Sequence, residues 1–329
     1  MSDFTALVDL ACARLGGVVV AANDEFFAAK ENLVADAEPV FREGEYTERG
    51  KWMDGWETRR RRTPGHDWAL VRLGVAGIVR GVVVDTRHFR GNFPEAFALE
   101  AARLDGDPEL DGDLEIGARD PRFRELLPRT RLAGDTLNRF AITSEACVRH
   151  VLLRIHPDGG VARLRVHGEV VPDRARLVAA GEVDLAAVEH GGRVMAASDM
   201  FFGHRHCLVY PGPPRGMFDG WETRRRRGPG HDWAVVRLGL PGRLRRAVVD
   251  TTFFKGNAPA ACALWGAPLE AYERGEPAWR ELLGRTPLEA DRVHTFELAA
   301  AAEPVGVVRL DIFPDGGVAR LRLFGEVAP

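Results

Sequence analysis

Asp54-Gly-Trp-Glu-Thr-Arg-Arg-Arg-Arg-Thr-Pro-Gly-His-Asp-Trp-Ala-Leu-Val-Arg-Leu-Gly74 returns as Asp219 to Gly239, with changes only at 63/228 and 70/235. The same shift of 165 residues carries Asp85-Thr86 onto Asp250-Thr251 and Gly91-Asn92 onto Gly256-Asn257. Upstream, Val8-Asp9-Leu10-Ala11 and Gly16-Gly17 reappear as Val183-Asp184-Leu185-Ala186 and Gly191-Gly192, shifted by 175. Downstream, Pro157 to Arg165 reappears as Pro314 to Arg322, shifted by 157. The chain is therefore a tandem duplication whose first copy carries extra loop residues, one set before residue 54 and another within 103–118. Copies of this size are domains, not solenoid repeats. A boundary near Pro172-Asp173-Arg174 gives expected domains of residues 1–173 and 174–329.

Working outward from the repeated block, each copy reads as all-β. Ala69–Gly74 and Gly77–Thr86 are short, β-branched runs bounded by glycine, with Ala69, Val71 and Leu73 on one face. Val151–Ile155, Asp158-Gly159-Gly160 and Ala162–Val166 have the alternation and turn residues of a hairpin. Pro121–Leu127 and Pro277–Leu283 are expected to be short helices. Many short strands between turns predict a jelly-roll β-sandwich, made twice.

Composition excludes several functional classes. The 329 residues carry 45 basic and 48 acidic side chains, so the chain is no global polycation and no nucleic-acid partner is expected. Only Lys30, Lys51 and Lys255 are lysines, so arginine supplies nearly all the positive charge and a lone arginine carries little information. Cys12, Cys147, Cys207 and Cys262 are far apart and form no CxxC, which fits free thiols of a reducing, cytoplasmic setting. Met-Ser-Asp-Phe has no basic n-region, and Val8–Ala22 is interrupted by Asp9 and Arg14, so neither a signal peptide nor a membrane span is expected.

A carboxylate, four guanidiniums, an imidazole and a second carboxylate within eleven residues are a chemical constellation that no core strand requires. Glu57, His66 and Asp67 can divide acid and base work. On an extended segment Glu57, Arg59 and Arg61 share a face, which suits a fork for a substrate carboxylate. Asp85, His88 and Asn92 follow on a loop at a strand end, where Asp and Asn also make ordinary Asx turns. Their second-copy counterparts are Glu222, Arg224, His231, Asp232, Asp250 and Asn257. His204-Arg-His206 looks like a metal arm, but its first-copy counterparts are Ala29 and Glu31; no cofactor is expected, and assistance by a divalent metal is left open by the sequence.

The two copies of GWETRRRR…GHDWA(L/V)VRLG, with VVDT…GN.P and PDGG.ARLR.(H/F)GEV, resemble the allantoicases over nearly the whole chain. That resemblance implies two galactose-binding-like jelly rolls, a cytoplasmic homo-oligomer, and hydrolysis of allantoate to ureidoglycolate and urea in purine nitrogen degradation. Alternatives are a non-catalytic carboxylate- or sugar-binding sandwich, or a lyase acting on ureidoglycolate. His88, His156 and His167 become Phe253, Phe313 and Phe324 in the second copy. A phenyl ring cannot transfer protons, so the first copy is expected to hold the more complete catalytic set.

Overall fold

A computed structural model describes residues 3–107, 121–299 and 303–329. The chain divides into two compact units, Met1–Val171 and Pro172–Pro329. In the first, the strands are β1 (Val8–Asp9), β2 (Val18–Ala22), β3 (Tyr46–Thr47), β4 (Gly50–Lys51), β5 (Trp56–Glu57), β6 (Asp67–Asp85), β7 (Ala96–Ala102), β8 (Arg124–Arg131), β9 (Leu137–Ala141), β10 (Cys147–His156), β11 (Gly160–Val161) and β12 (Arg163–Val170). In the second they are β13 (Glu182–Asp184), β14 (Arg193–Ala197), β15 (Trp221–Glu222), β16 (Asp232–Asp250), β17 (Ala261–Ala267), β18 (Arg280–Pro287), β19 (Val293–Glu297), β20 (Val305–Phe313), β21 (Gly317–Val318) and β22 (Arg320–Val327).

The two runs read as separate strands are one. β6 is continuous over 19 residues. Its first half pairs with β2 and β10, while its second half pairs with β9 and β12. Asp67 N–H donates to Pro157 O, and Ala162 N–H donates to Asp85 O. A straight strand of this length would span ~60 Å, but the few residues between 157 and 162 reach only about 20 Å. β6 therefore bends back on itself, and its halves belong to the two layers of a sandwich.

The bend needs glycine. A Cβ at Gly74 would lie 2.4 Å from Leu15 O, and one at Gly77 would lie 2.6 Å from Glu169 O. β16 repeats the arrangement at Gly239 and Gly242, where a Cβ would meet His190 O at 1.8 Å and Leu185 Cδ1 at 2.2 Å.

Ala69, Val71 and Leu73 are all fully buried. The expected inward face at 69, 71 and 73 is thus correct. The opposite face is covered as well, because Trp68, Leu70, Leu104, Phe123 and Leu152 form a second apolar cluster there.

Two local expectations are overturned. Val151–Ile155 and Ala162–Val166 are not hairpin partners: β10 and β12 each pair with β6, in different layers. Asp158-Gly159-Gly160 is therefore a crossing between layers. Pro121–Leu127 and Pro277–Leu283 are not helices either, since their C-terminal portions begin β8 and β18, which pair with β7 and β17. Ladder bonding at a sheet edge outweighs local helix preference here, and irregular register in both pairs hides the alternation. The α-helices lie elsewhere. α1 (Arg174–Ala180) is capped by Asp173, whose side chain accepts from Arg176 N–H at 3.0 Å. α2 (Leu269–Glu273) fills the 268–279 connection, whose longer first-copy counterpart falls mainly on 108–120, outside the described residues.

A Gly74→Val variant is expected to lose about 2 kcal/mol or more, the cost of forcing a branched side chain against backbone. Urea unfolding should show a lower midpoint with an unchanged slope; an unchanged midpoint would contradict the tight bend.

Candidate functional site

Both ends of the bent strand meet the Pro157–Ala162 crossing, so Asp67 and Asp85 reach one rim of the sandwich although 18 positions separate them. β5 joins that rim by pairing Glu57 with Gly160 and Trp56 with Val161. Thr58 N–H donates to Gly159 O at 3.1 Å, and Gly159 N–H returns a bond to Thr58 Oγ1 at 3.1 Å. Gly160 N–H donates to Asn92 O at 2.7 Å. A side chain at Gly160 would strike the Phe89 ring at 2.0 Å, so the glycine is sterically required.

This three-segment clip sets the central contact. Asn92 Nδ2 donates to Glu57 Oε1 at 2.7 Å. Burial pushes the Glu57 carboxyl above the ordinary glutamate range, and the Asn92 bond only partly offsets it. The second unit rebuilds the contact, with Asn257 Nδ2 donating to Glu222 Oε1 at 2.6 Å and Gly317 N–H to Asn257 O at 2.9 Å.

The arginine run is divided in its use. Arg59 Nε donates to Asp24 at 2.6 Å and stays 65% exposed. Arg61 turns inward to Asp67, Nη1 to Oδ1 at 2.7 Å, and its backbone N–H donates to Asp158 Oδ2 at 2.8 Å. Asn23 also donates to Asp67 Oδ1. Arg224–Asp199, Arg226–Asp232 and Arg226–Asp315 repeat these pairs. Glu57, Arg59 and Arg61 therefore do not form a free fork, because residues 58–66 leave the strand after Glu57 and the two guanidiniums meet different acids. Arg60 and Arg62 are exposed, and no acidic partner is seen for them among the described residues.

His66 Nε2 lies 2.6 Å from Arg154 Nη1, which makes the ring an acceptor there, and Arg154 also bonds Glu100. The His66 and His156 rings are 5.0 Å apart. Burial, reinforced by Arg129 and the neighbouring His66, pushes His156 down to about 4, so it is neutral near pH 7. In the second unit His231 lies 3.3 Å from Asp311 and packs on Phe313, with Arg285 over that phenyl ring.

Asp85 is buried and accepts from Arg87 N–H at 2.9 Å and from the Arg87 guanidinium. Asp250 accepts from Thr252 N–H at 2.8 Å. Both are Asx turns. His88 has φ 72°, stacks on Phe41 and places Nε2 3.1 Å from Pro39 O; Phe253 keeps the same φ of 72°. His204 Nδ1 accepts from His206 N–H and so caps a short turn. No group of three or more potential metal ligands occurs among the described residues.

Sequence reading missed Asp158 and Asp315, taking their segments for hairpin turns. Their presence in both copies beside Gly-Gly was the available signal, and their role is to fix the arginine loop by its backbone.

Arg61→Ala is expected to cost about 3 kcal/mol, because it strands the buried Asp67 carboxylate. Arg59→Ala should cost less than about 1 kcal/mol, as its pair is solvent-exposed. Equal shifts in denaturation midpoint would contradict this division.

With the geometry established, comparison with known proteins places the chain. The family model described as "Allantoicase repeat" matches residues 8–171 and again 183–328. A "Probable allantoicase" of Nocardia farcinica is 52% identical over 325 residues, covering 98% of this chain and 95% of the relative. A "Probable allantoicase" of Pseudomonas paraeruginosa is 48% identical over 331 residues, covering 99% and 97%. The crystal structure of allantoicase from Saccharomyces cerevisiae has 34% sequence identity and a TM-score of 0.79, covering 97% of this chain and 92% of the other. Two matched repeats, full-length relatives and a shared fold agree: this chain belongs to the allantoicase family.

Proposed function

We propose that this chain hydrolyses allantoate to ureidoglycolate and urea, a step of purine nitrogen degradation, and that Glu57 of the first unit is the proton-transferring group. The observation that carries the assignment of Glu57 is its partly buried carboxylate, oriented by the Asn92 amide and raised in pKa by burial.

Allantoate has a carboxylate on a carbon bearing two ureido groups. Urea leaves poorly as an anion, so one proton must reach the departing nitrogen and one must be taken from water. A single carboxylate can do both in turn. In its ionised form Glu57 takes a proton from water as the new C–O bond forms. It then gives that proton to nitrogen as the C–N bond breaks, and regenerates. Asn92 keeps Oε1 occupied and leaves Oε2 for the transfer. The substrate carboxylate needs guanidinium donors. Arg60 and Arg62 suit it as exposed groups with no acidic partner among the described residues, and the exposed Arg59 can exchange Asp24 for it. Arg61 and Asp67 hold the loop.

His66 and His88 belong to the first-unit set in this reading, His66 as an acceptor from Arg154 and His88 as support for the loop that carries Asn92. The second unit repeats the Glu222–Asn257 contact but has phenylalanine at 253 and 313, and Glu222, Arg224, His231, Asp232, Asp250 and Asn257 act there in binding or structure. A cytoplasmic setting is supported by four cysteines that form no disulfide. Assembly into a homo-oligomer is part of the same reading. Among the described residues no helix is long and apolar enough to cross a membrane.

Purified protein should release urea from allantoate and none from ureidoglycolate. Glu57→Gln is expected to lower turnover about 10²–10⁴-fold, while Glu222→Gln retains most activity. Equal losses would overturn the asymmetry. If ionised Glu57 is required, kcat/KM falls as pH drops through its raised pKa. Asn92→Ala removes a bond that favours the carboxylate, so the acid limb should move to higher pH. An unmoved limb would remove Glu57 from the titration.

A further inference from the structure

The two units treat one face differently. Hydrogen bonds fix the equivalence: Phe26 N–H on Asp24 matches Phe201 N–H on Asp199, Phe27 N–H on Glu57 O matches Phe202 N–H on Glu222 O, and Val40 N–H on Asp54 matches Arg215 N–H on Asp219. Between the last pair and the repeated block, the first unit has Phe41 to Met53, and the second has only Gly216-Met217-Phe218. The added residues form the β3–β4 hairpin. Its Arg49 donates to Phe26 O at 3.1 Å and lies 5.4 Å over the Phe26 ring, and Gly50 approaches Phe27. Met53 below it is 8% exposed.

The hairpin leaves Phe26 39% exposed and buries Met53; without it, the second unit exposes the same positions further. Phe201 is 63% exposed, Phe202 62% and Phe218, the counterpart of Met53, 74%; Met200, Met217 and Phe253 are also exposed. At roughly 150–250 Å² for each aromatic side chain, these residues offer on the order of 600 Å² of apolar surface. That is large for a lone monomer and matches the apolar centre of an interface burying about 800 Å² per partner. Phe, Met and Arg, here with Arg224 over Phe201, are also the residues that such centres favour. A net charge of −3 sets little repulsion between copies.

We propose that the Phe201–Phe202–Phe218 face of the second unit is a contact between copies of this chain, which takes the place of the first unit's β3–β4 hairpin. It rests on the reading of the protein as a homo-oligomer and adds the surface that makes it one. Because Phe202 and Gly203 N–H both donate to Glu222 O, the contact would border the Glu222–Asn257 pair and close it from a side that the first unit covers itself.

Light scattering on the full chain at micromolar concentration is the test. The wild type should run at no less than twice its 36.2 kDa chain mass. Phe202→Arg/Phe218→Arg should lower the mass by at least half with an unchanged circular dichroism spectrum, while Tyr46→Arg on the first unit leaves it unaltered. Hydrogen exchange on the wild type should show 199–203 and 216–219 losing protection on dilution, which needs no variant. A wild type at chain mass would overturn both the assembly reading and this contact. That result would leave the face to a different partner. An assembled wild type whose mass survives the double substitution, or whose exchange there ignores dilution, would overturn the contact alone.

Discussion

Everything at the site follows from one constraint: a 19-residue strand whose two ends are tied to the same short crossing. Because Asp67 binds at Pro157 and Asp85 at Ala162, the strand must double back, and the two halves then recruit separate sets of neighbours. Gly74 and Gly77 permit the bend where any side chain would meet backbone. The second unit obeys the same constraint with different flanking residues, which is why Gly239 and Gly242 recur while much of the surrounding sequence does not. Buried arginines reinforce the rim. Arg163 bonds the carbonyls of Ala37, Asp54 and Ala162, and Arg320 bonds those of Gly212, Pro213, Asp219 and Ala319 together with the Asp219 carboxylate. A guanidinium that saturates its donors on main chain fixes the loop leading into Trp56-Glu57.

The electrostatics of the rim separate acids locked in ion pairs from one that is not. Arg61–Asp67 and Arg87–Asp85 are ion pairs whose acids are almost inaccessible, so their charges are spent on position. Glu57 has no guanidinium among its described partners and only an amide on one oxygen, and burial therefore acts on its pKa largely unopposed. A carboxylate poised this way is suited to moving protons; one locked to arginine is not.

The all-β class, the duplication and the inward faces were legible because period-2 alternation and long internal matches are local signals. Asp67, Asp85, Glu57 and Asn92 were legible as candidates because they recur as a set. Their division of labour was not. It depends on which acid each arginine meets, and Asp24, Asp67 and Asp158 come from three distant segments. The false hairpin had the same origin: Val151–Ile155 and Ala162–Val166 alternate as hairpin strands do, and only the bend of β6 shows that they lie in different layers. The segments leading into β8 and β18, Pro121–Leu127 and Pro277–Leu283, read as helices because bulged edge strands lose the alternation that identifies them.

The central claim is that allantoate reacts against the Glu57–Asn92 pair. A crystal structure of the Glu57→Gln variant with allantoate bound tests it directly. The account requires a ureido nitrogen within hydrogen-bond distance of residue 57 in the first unit, with the carboxylate on the arginine run. Allantoate bound away from Glu57 and Asn92, or only beside Glu222, would contradict it.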